Sequence, residues 1–159
     1  MLFSKKKSRK WEFEKLPVVD WKATNKCKYD MTTICKLILT QILKIENVSL
    51  LVVTDDKMVK RFDTSDIEMQ AVLQGYPQLK KYILYLRKNM SEDLLTTICH
   101  EMVHLKQYYD GKLRLDGTTF YWNGEYYSKP IPYMDRPWEK EAFAKMYDIE
   151  KEVKKLYYE

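Results

Sequence analysis

Residues 100–104 read His-Glu-Met-Val-His, and these two histidines are the only ones in the chain. On an α-helix, histidines four positions apart lie on one face and can bind the same metal ion, while a glutamate beside the first can reach a water held there. The pattern points to zinc, with His100 and His104 as ligands and Glu101 as a general base. The competing reading is an ordinary polar helix surface. At roughly 100° per residue, Leu94, Leu95, Ile98, Met102, Leu105 and Tyr109 share an arc about 100° wide that reads as the core stripe. His100 and His104 project from the opposite side, with Thr97 and Tyr108 between them and Glu101 at the margin. They are expected to face a cleft or solvent.

A catalytic zinc site needs a third protein ligand. Asp110 lies six residues beyond His104, and on a continuing helix it cannot swing back to the metal. Two further candidates stand in Arg136-Pro137-Trp138-Glu139-Lys140-Glu141-Ala142-Phe143, where Pro137 suits the first turn of a helix. Phase on that helix groups Glu139 with Phe143, Met146, Val153 and Tyr157, and groups Glu141 with Lys145, Asp148 and Glu152. A carboxylate on an apolar face is costly unless it is paired or bound to a cation, so Glu139 is the expected ligand. An ion pair from Glu139 to Arg136 or Arg87 is the alternative. A helix that starts later than Pro137 would leave Glu141 open as the ligand.

The elements that must position these groups follow from periodicity. Asp30 to Glu46 carries Met31, Ile34, Leu37, Ile38, Ile42 and Ile45 at three- and four-residue steps and predicts an amphipathic helix capped by Asp30. Val48 to Thr54 predicts a buried strand, Ser65 to Gln74 a short helix closed by Gly75, and Leu79 to Lys88 a strand of alternating pattern. Ser91, followed by Glu92 and Asp93, predicts the start of the histidine-bearing helix, which runs to about Tyr109. Asp116-Gly117 and Asn123-Gly124 predict hairpin turns within Lys112–Ser128, and a last helix extends from Pro137 to about Tyr158.

Composition bounds the function classes. A chain of 159 residues with 45% hydrophobic residues, 13 Tyr and 4 Trp can build one core, and only 4 Gly and 5 Pro exclude low-complexity architectures. No apolar run approaches the roughly 18 residues of a membrane span, and no apolar stretch follows the basic start as in a secretory signal, so a cytoplasmic protein without a membrane partner is expected. Three cysteines without a C-x-x-C pair suggest neither a disulfide framework nor a cysteine-ligated zinc. The formal charge of +5 is concentrated in residues 1–16, where six basic side chains against Glu12 and Glu14 leave a net +4. We therefore divide the chain into a basic N-terminal arm, 1–16, and one domain, 17–159. The arm reads first as a solvated tail and second as a nucleic-acid or nuclear-import patch.

His100-Glu101-Met102-Val103-His104 and Glu139-Lys140-Glu141-Ala142 together resemble the gluzincin branch of the zincin metallopeptidases, in a minimal single-domain form. Trp122-Asn123-Gly124 in a hairpin and the Pro137-Trp138-Glu139 helix start are similar to features of small zinc peptidases of phages and viruses, and the resemblance covers roughly residues 79–147. It implies an α+β, zincin-like fold: a small mixed sheet, an active-site helix, a β-hairpin region and a C-terminal helix bearing the ligand Glu139. It also implies a Zn2+ cofactor, a protein or peptide substrate, location in the cytoplasm (of the host cell if viral) and peptide-bond hydrolysis with Glu101 as base. An oxyanion donor is expected as well, and Tyr133 and Arg136, just before the ligand helix, are the candidates. In zincins the strand before the active-site helix is commonly an edge that pairs with substrate, which assigns that task to Leu79–Lys88. The basic residues of that segment hint at acidic substrates or at protection of an edge. A third histidine is missing, so the DNA-linked repair role of zincins that carry one does not transfer. The alternative function is a zinc-stabilised binding module without turnover, associated with nucleic acid through the arm.

Overall fold

In the computed structural model, which describes residues 16–116, 119–127 and 131–159, a four-stranded sheet forms from β1 (Val18–Trp21), β2 (Ser49–Thr54), β3 (Ala71–Tyr76) and β4 (Lys81–Leu86). The order is β1-β2-β4-β3. β1, β2 and β4 run parallel, and β3 joins the far side of β4 antiparallel. Alternation fixes which face is covered. Leu50 and Val52 stand in register with Tyr82 and Leu84, and all four are buried, whereas Leu51, Val53, Ile83 and Tyr85 are half-buried. The covered face meets α1 (Met31–Leu37), α3 (Leu94–Tyr109) and α4 (Pro137–Tyr157) in one core, and a short α2 (Asp56–Lys60) follows β2. The architecture is α+β.

Each helix starts at a residue that can begin one. The Asp30 carboxylate accepts from the Thr33 amide at 3.3 Å, and Pro137 occupies the first turn of α4. The expected helix over 30–46 is α-helical only to Leu37; through Ile38–Ile42 it widens to π geometry, with the Leu43 amide on the Ile38 carbonyl at 2.8 Å. The cap of α3 is Asp93, not Ser91: its carboxylate takes the Thr96 amide at 3.1 Å, while the Ser91 amide donates to Gln70 Oε1.

Two sequence expectations are overturned. Ser65–Gln74 is not a helix; irregular chain leads into the edge strand β3, whose Ala71, Val72 and Leu73 are all buried and so lack the alternation that marks a strand. Gly75 is therefore no helix stop but a point of close approach. A Cβ there would lie 3.1 Å from Tyr108 Cγ on α3 and 3.1 Å from Tyr82 Cε1. Leu79–Lys88 does contain a strand, but β4 lies between β2 and β3, so the open edge beside α3 belongs to β3. β1, after Pro17, was not expected at all.

The segment after α3 is a three-stranded antiparallel meander, β5 (Leu113–Asp116), β6 (Thr119–Trp122) and β7 (Glu125–Tyr127). Asn123 and Gly124 make the β6–β7 turn with φ of 50° and 82°, as that dipeptide requires. The expected turn at Asp116-Gly117 and the basic arm lie outside the described residues, apart from Asp116 and Leu16. Phe120, Trp122 and Tyr127 pack on Trp138 with ring centroids 4.8, 6.3 and 5.4 Å away, clasping the meander to the first turn of α4. Among the described residues no helix is long and apolar enough to cross a membrane.

Candidate metal centre

α3 is buried nearly all round, which no single apolar stripe predicted. One side lies against the sheet; the other, expected to face a cleft or solvent, is covered by α4, so His100 and His104 are only 6% and 7% exposed. The first turn of α4 supplies what these imidazoles meet. With Trp138 locked under the meander, the next residue, Glu139, points to α3. Its Oε1 lies 2.9 Å from His100 Nε2 and 2.9 Å from His104 Nε2. Glu139 belongs to the buried face that also carries Ala142, Met146, Ile149 and Val153, as phase predicted.

The other expected partners and ligands are committed elsewhere. Arg87 pairs with Asp63 at 3.1 Å, and Arg136 Nε donates to the Ile131 carbonyl, so neither neutralises Glu139. Asp110 is exposed at the end of α3 and pairs with Lys106 at 3.1 Å. Glu141 takes Lys112 Nζ at 2.9 Å, on the other side of α4's first turns.

Glu141 nevertheless belongs to the site through a residue that the sequence reading passed over. Gln107, 1% exposed, donates its Nε2 to the Trp138 carbonyl at 3.0 Å and to Glu141 Oε1 at 3.2 Å. Both partners only accept, which orients the amide and turns Gln107 Oε1 toward His104 Nδ1 at 2.8 Å. That oxygen can only accept, so His104 carries a proton on Nδ1 and its Nε2 is the nitrogen free to bind a metal. The spacing of three from His104 to Gln107 on one helix is the signal that could have found it. His100 is held differently: its ring lies 4.5 Å from Phe143, and its Nδ1 is buried without a hydrogen-bond partner among the described residues.

Charge in the cluster follows from burial and proximity. Burial alone would raise Glu139, yet the His104 charge and the two imidazole hydrogen bonds hold its carboxyl well below the usual range. Burial likewise opposes charge on His104, and the facing Glu139 overrides it, raising the imidazole to about 9. Glu101 goes the other way: burial raises it, with the two histidines only partly offsetting the effect. Burial first, then Glu139 and Glu101, push the Tyr133 phenol far up, and its ring lies 6.2 Å from that of Phe143.

The donor set fits a zinc ion. One ligand atom from each of His100, Glu101 and His104 lies within 4.8 Å of the others. Tetrahedral bonds of about 2.0–2.1 Å separate ligand atoms by roughly 3.3 Å, so the 2.9 Å separations between Glu139 Oε1 and the two Nε2 atoms need to open by only a few tenths of an ångström. Two imidazole nitrogens and one carboxylate are the three-ligand set of catalytic zinc.

Beside the cluster lies a cleft of about 330 Å3, bounded by β3, α3, the meander and Arg61–Phe62 and lined by Glu101, His104 and Glu139. No protein-family model, no curated protein and no solved structure matches the chain.

Proposed function

We propose that the protein is a zinc-dependent metallopeptidase with a zincin-like fold. The observation that carries this reading is the convergence of His100 Nε2, His104 Nε2 and one Glu139 oxygen at 2.9 Å from two different helices, with Glu101 on the same turn and a cleft in front. Zinc held by these three residues would supply a Lewis acid for a scissile carbonyl and a water acidic enough, at a pKa of about 7, to attack at neutral pH.

The rest of the chemistry falls to the chain. Glu101 is the general base: it accepts the proton of the attacking water and returns it to the leaving amine. Gln107 and Glu141 keep the Nδ1 proton on His104 and hold its ring in place. Of the two expected oxyanion donors, Arg136 lines the cleft with Glu101, His104 and Glu139, whereas Tyr133 packs beside Phe143, whose ring meets His100. The free edge of β3 borders the cleft and offers backbone groups to an extended peptide. A purely structural zinc closes four ligands and has no use for a buried glutamate beside them, which favours catalysis over a binding module.

The test is a comparison of zinc-loaded wild type with Glu101→Gln on a complex peptide library. Wild type should cleave, and the variant should bind one equivalent of zinc while cleaving at least about a thousandfold more slowly. A variant that loses the metal, or that cleaves at the wild-type rate, contradicts the role given to Glu101.

A further inference from the structure

The cleft has a charge pattern that the hydrolytic chemistry does not use. Arg61 and Arg136 line it together with the apolar Leu115 and Phe120. Among the described residues neither has a carboxylate partner, although Arg87 nearby is paired with both Asp63 and Glu68. Arg136 is also held in place. Its guanidinium sits 5.7 Å from the Phe120 ring and 5.6 Å from the Tyr133 ring, with Nε on the Ile131 carbonyl at 3.3 Å, and among the described residues its other nitrogens meet no acceptor. Of the two acids that share the cleft, Glu139 is committed to the two imidazoles. Gln74, Tyr108 and Leu115 also line a second hollow, where Arg114 lies over the Tyr121 ring at 4.2 Å and again lacks a carboxylate among the described residues.

The shape says how these cations would be approached. β3 borders both hollows, from Ala71 to Tyr76, and six residues of strand measure roughly 20 Å. At about 330 Å3 the main cleft is at the small end of ligand pockets, room for a short stretch of peptide and its side chains and not for a folded surface. Planar guanidinium groups with free donors match carboxylates bidentately.

We infer that the cleft selects an extended peptide laid along β3, with a bulky apolar side chain against Leu115 and Phe120 and an Asp or Glu side chain within two residues of it, engaged by Arg136 and Arg61. This rests on the peptidase reading, and it relocates the acidic preference from the β4 segment, whose Arg87 is already paired, to the walls of the cleft.

The experiment has a cleavage arm and a binding arm. In a proteome-derived peptide digest by zinc-loaded wild type, Asp and Glu should be enriched within two residues of a bulky apolar residue at the cut site. For matched peptides that differ only by Glu or Gln at that place, the kcat/KM ratio should fall at least about tenfold in Arg61→Gln/Arg136→Gln relative to wild type. The same Glu-over-Gln preference should appear in fluorescence-anisotropy binding to zinc-loaded Glu101→Gln and vanish when both arginines are also replaced. Cleavage without acidic enrichment, or an unchanged ratio in the double variant, overturns the inference and leaves the peptidase reading intact. A preference that disappears on amidating the peptide C-terminus also overturns it, because the carboxylate is then the chain end. If wild type with bound zinc cleaves nothing, the peptidase reading fails, and the binding arm still decides whether the arginines select an acidic peptide.

Discussion

Replacing Gln107 with Leu removes three hydrogen bonds at one stroke without much change in volume, and the structure says what each loss does. His104 Nδ1 loses its acceptor at 2.8 Å, the Trp138 carbonyl loses a donor at 3.0 Å, and Glu141 keeps Lys112 but loses its tie to α3. The first loss acts on the metal. Without Gln107, Nδ1 and Nε2 compete for the imidazole proton and the ring is free to rotate, and removal of such an outer partner typically costs 10–100-fold in metal affinity, about 1.4–2.7 kcal/mol. The second loss acts on the fold: the Trp138 carbonyl keeps its donor within the helix, so loss of the Gln107 hydrogen bond costs only about 0.5–1.5 kcal/mol. A competition titration against a chromophoric zinc chelator at pH 7.5 should therefore give a Kd 10–100 times weaker for Gln107→Leu, with one zinc still bound at saturation. Glu141→Gln, which can still accept from Gln107 Nε2, should stay within about threefold of wild type. A Gln107→Leu protein that binds zinc as tightly as wild type would refute the claim that this network presents His104 Nε2 to the metal.

Three further outcomes follow from the same geometry. Gly75→Ala places a Cβ 3.1 Å from the Tyr108 ring, so overpacking should cost about 1–3 kcal/mol and lower Tm by several degrees; an unchanged Tm in a thermal scan would show that α3 does not press on β3 there. In protein stripped of metal by a chelator, His104 is raised from 6.5 to about 9, so its stabilisation is complete below about 6.5 and is lost as pH rises through 9. Glu139 is lowered from 4.5, so its stabilisation is present above about 4.5 and is lost on acidification; Tm of the stripped protein should peak between these limits, and a Tm that climbs from pH 6.5 to 9 contradicts the pairing. Zinc uptake over that range must displace the His104 proton, so calorimetry in buffers of different ionisation enthalpy should detect at least one proton released per zinc.

Much of the site was legible because helical phase is a local property. The spacing of His100, Glu101 and His104 and the apolar company of Glu139 needed only the assumption of two helices, and both are present with starts within two residues of those expected. What phase could not show was the third dimension. Nothing in Leu94–Tyr109 reveals that α4 closes over the polar side, because covering a polar face requires Glu139 and Gln107 to satisfy it, and those partnerships are long-range. The β3 strand was misread for a related reason: Ala71, Val72 and Leu73 are buried together, so the period of two vanishes, and Gly75 reads as a stop when its work is to admit the Tyr108 ring. Placing β4 at an edge failed because strand order depends on β3 folding back beside it, which no pattern within Leu79–Lys88 encodes.

The central claim, that His100, His104 and Glu139 jointly hold one zinc ion, is tested most directly by anomalous diffraction on crystals of the zinc-loaded protein, recorded on both sides of the zinc absorption edge. The account predicts a single strong peak within about 2.0–2.2 Å of His100 Nε2, His104 Nε2 and a Glu139 oxygen, with Glu101 unbonded to it. A peak ligated elsewhere, or none with Glu139 still bonded directly to both imidazoles, would contradict it.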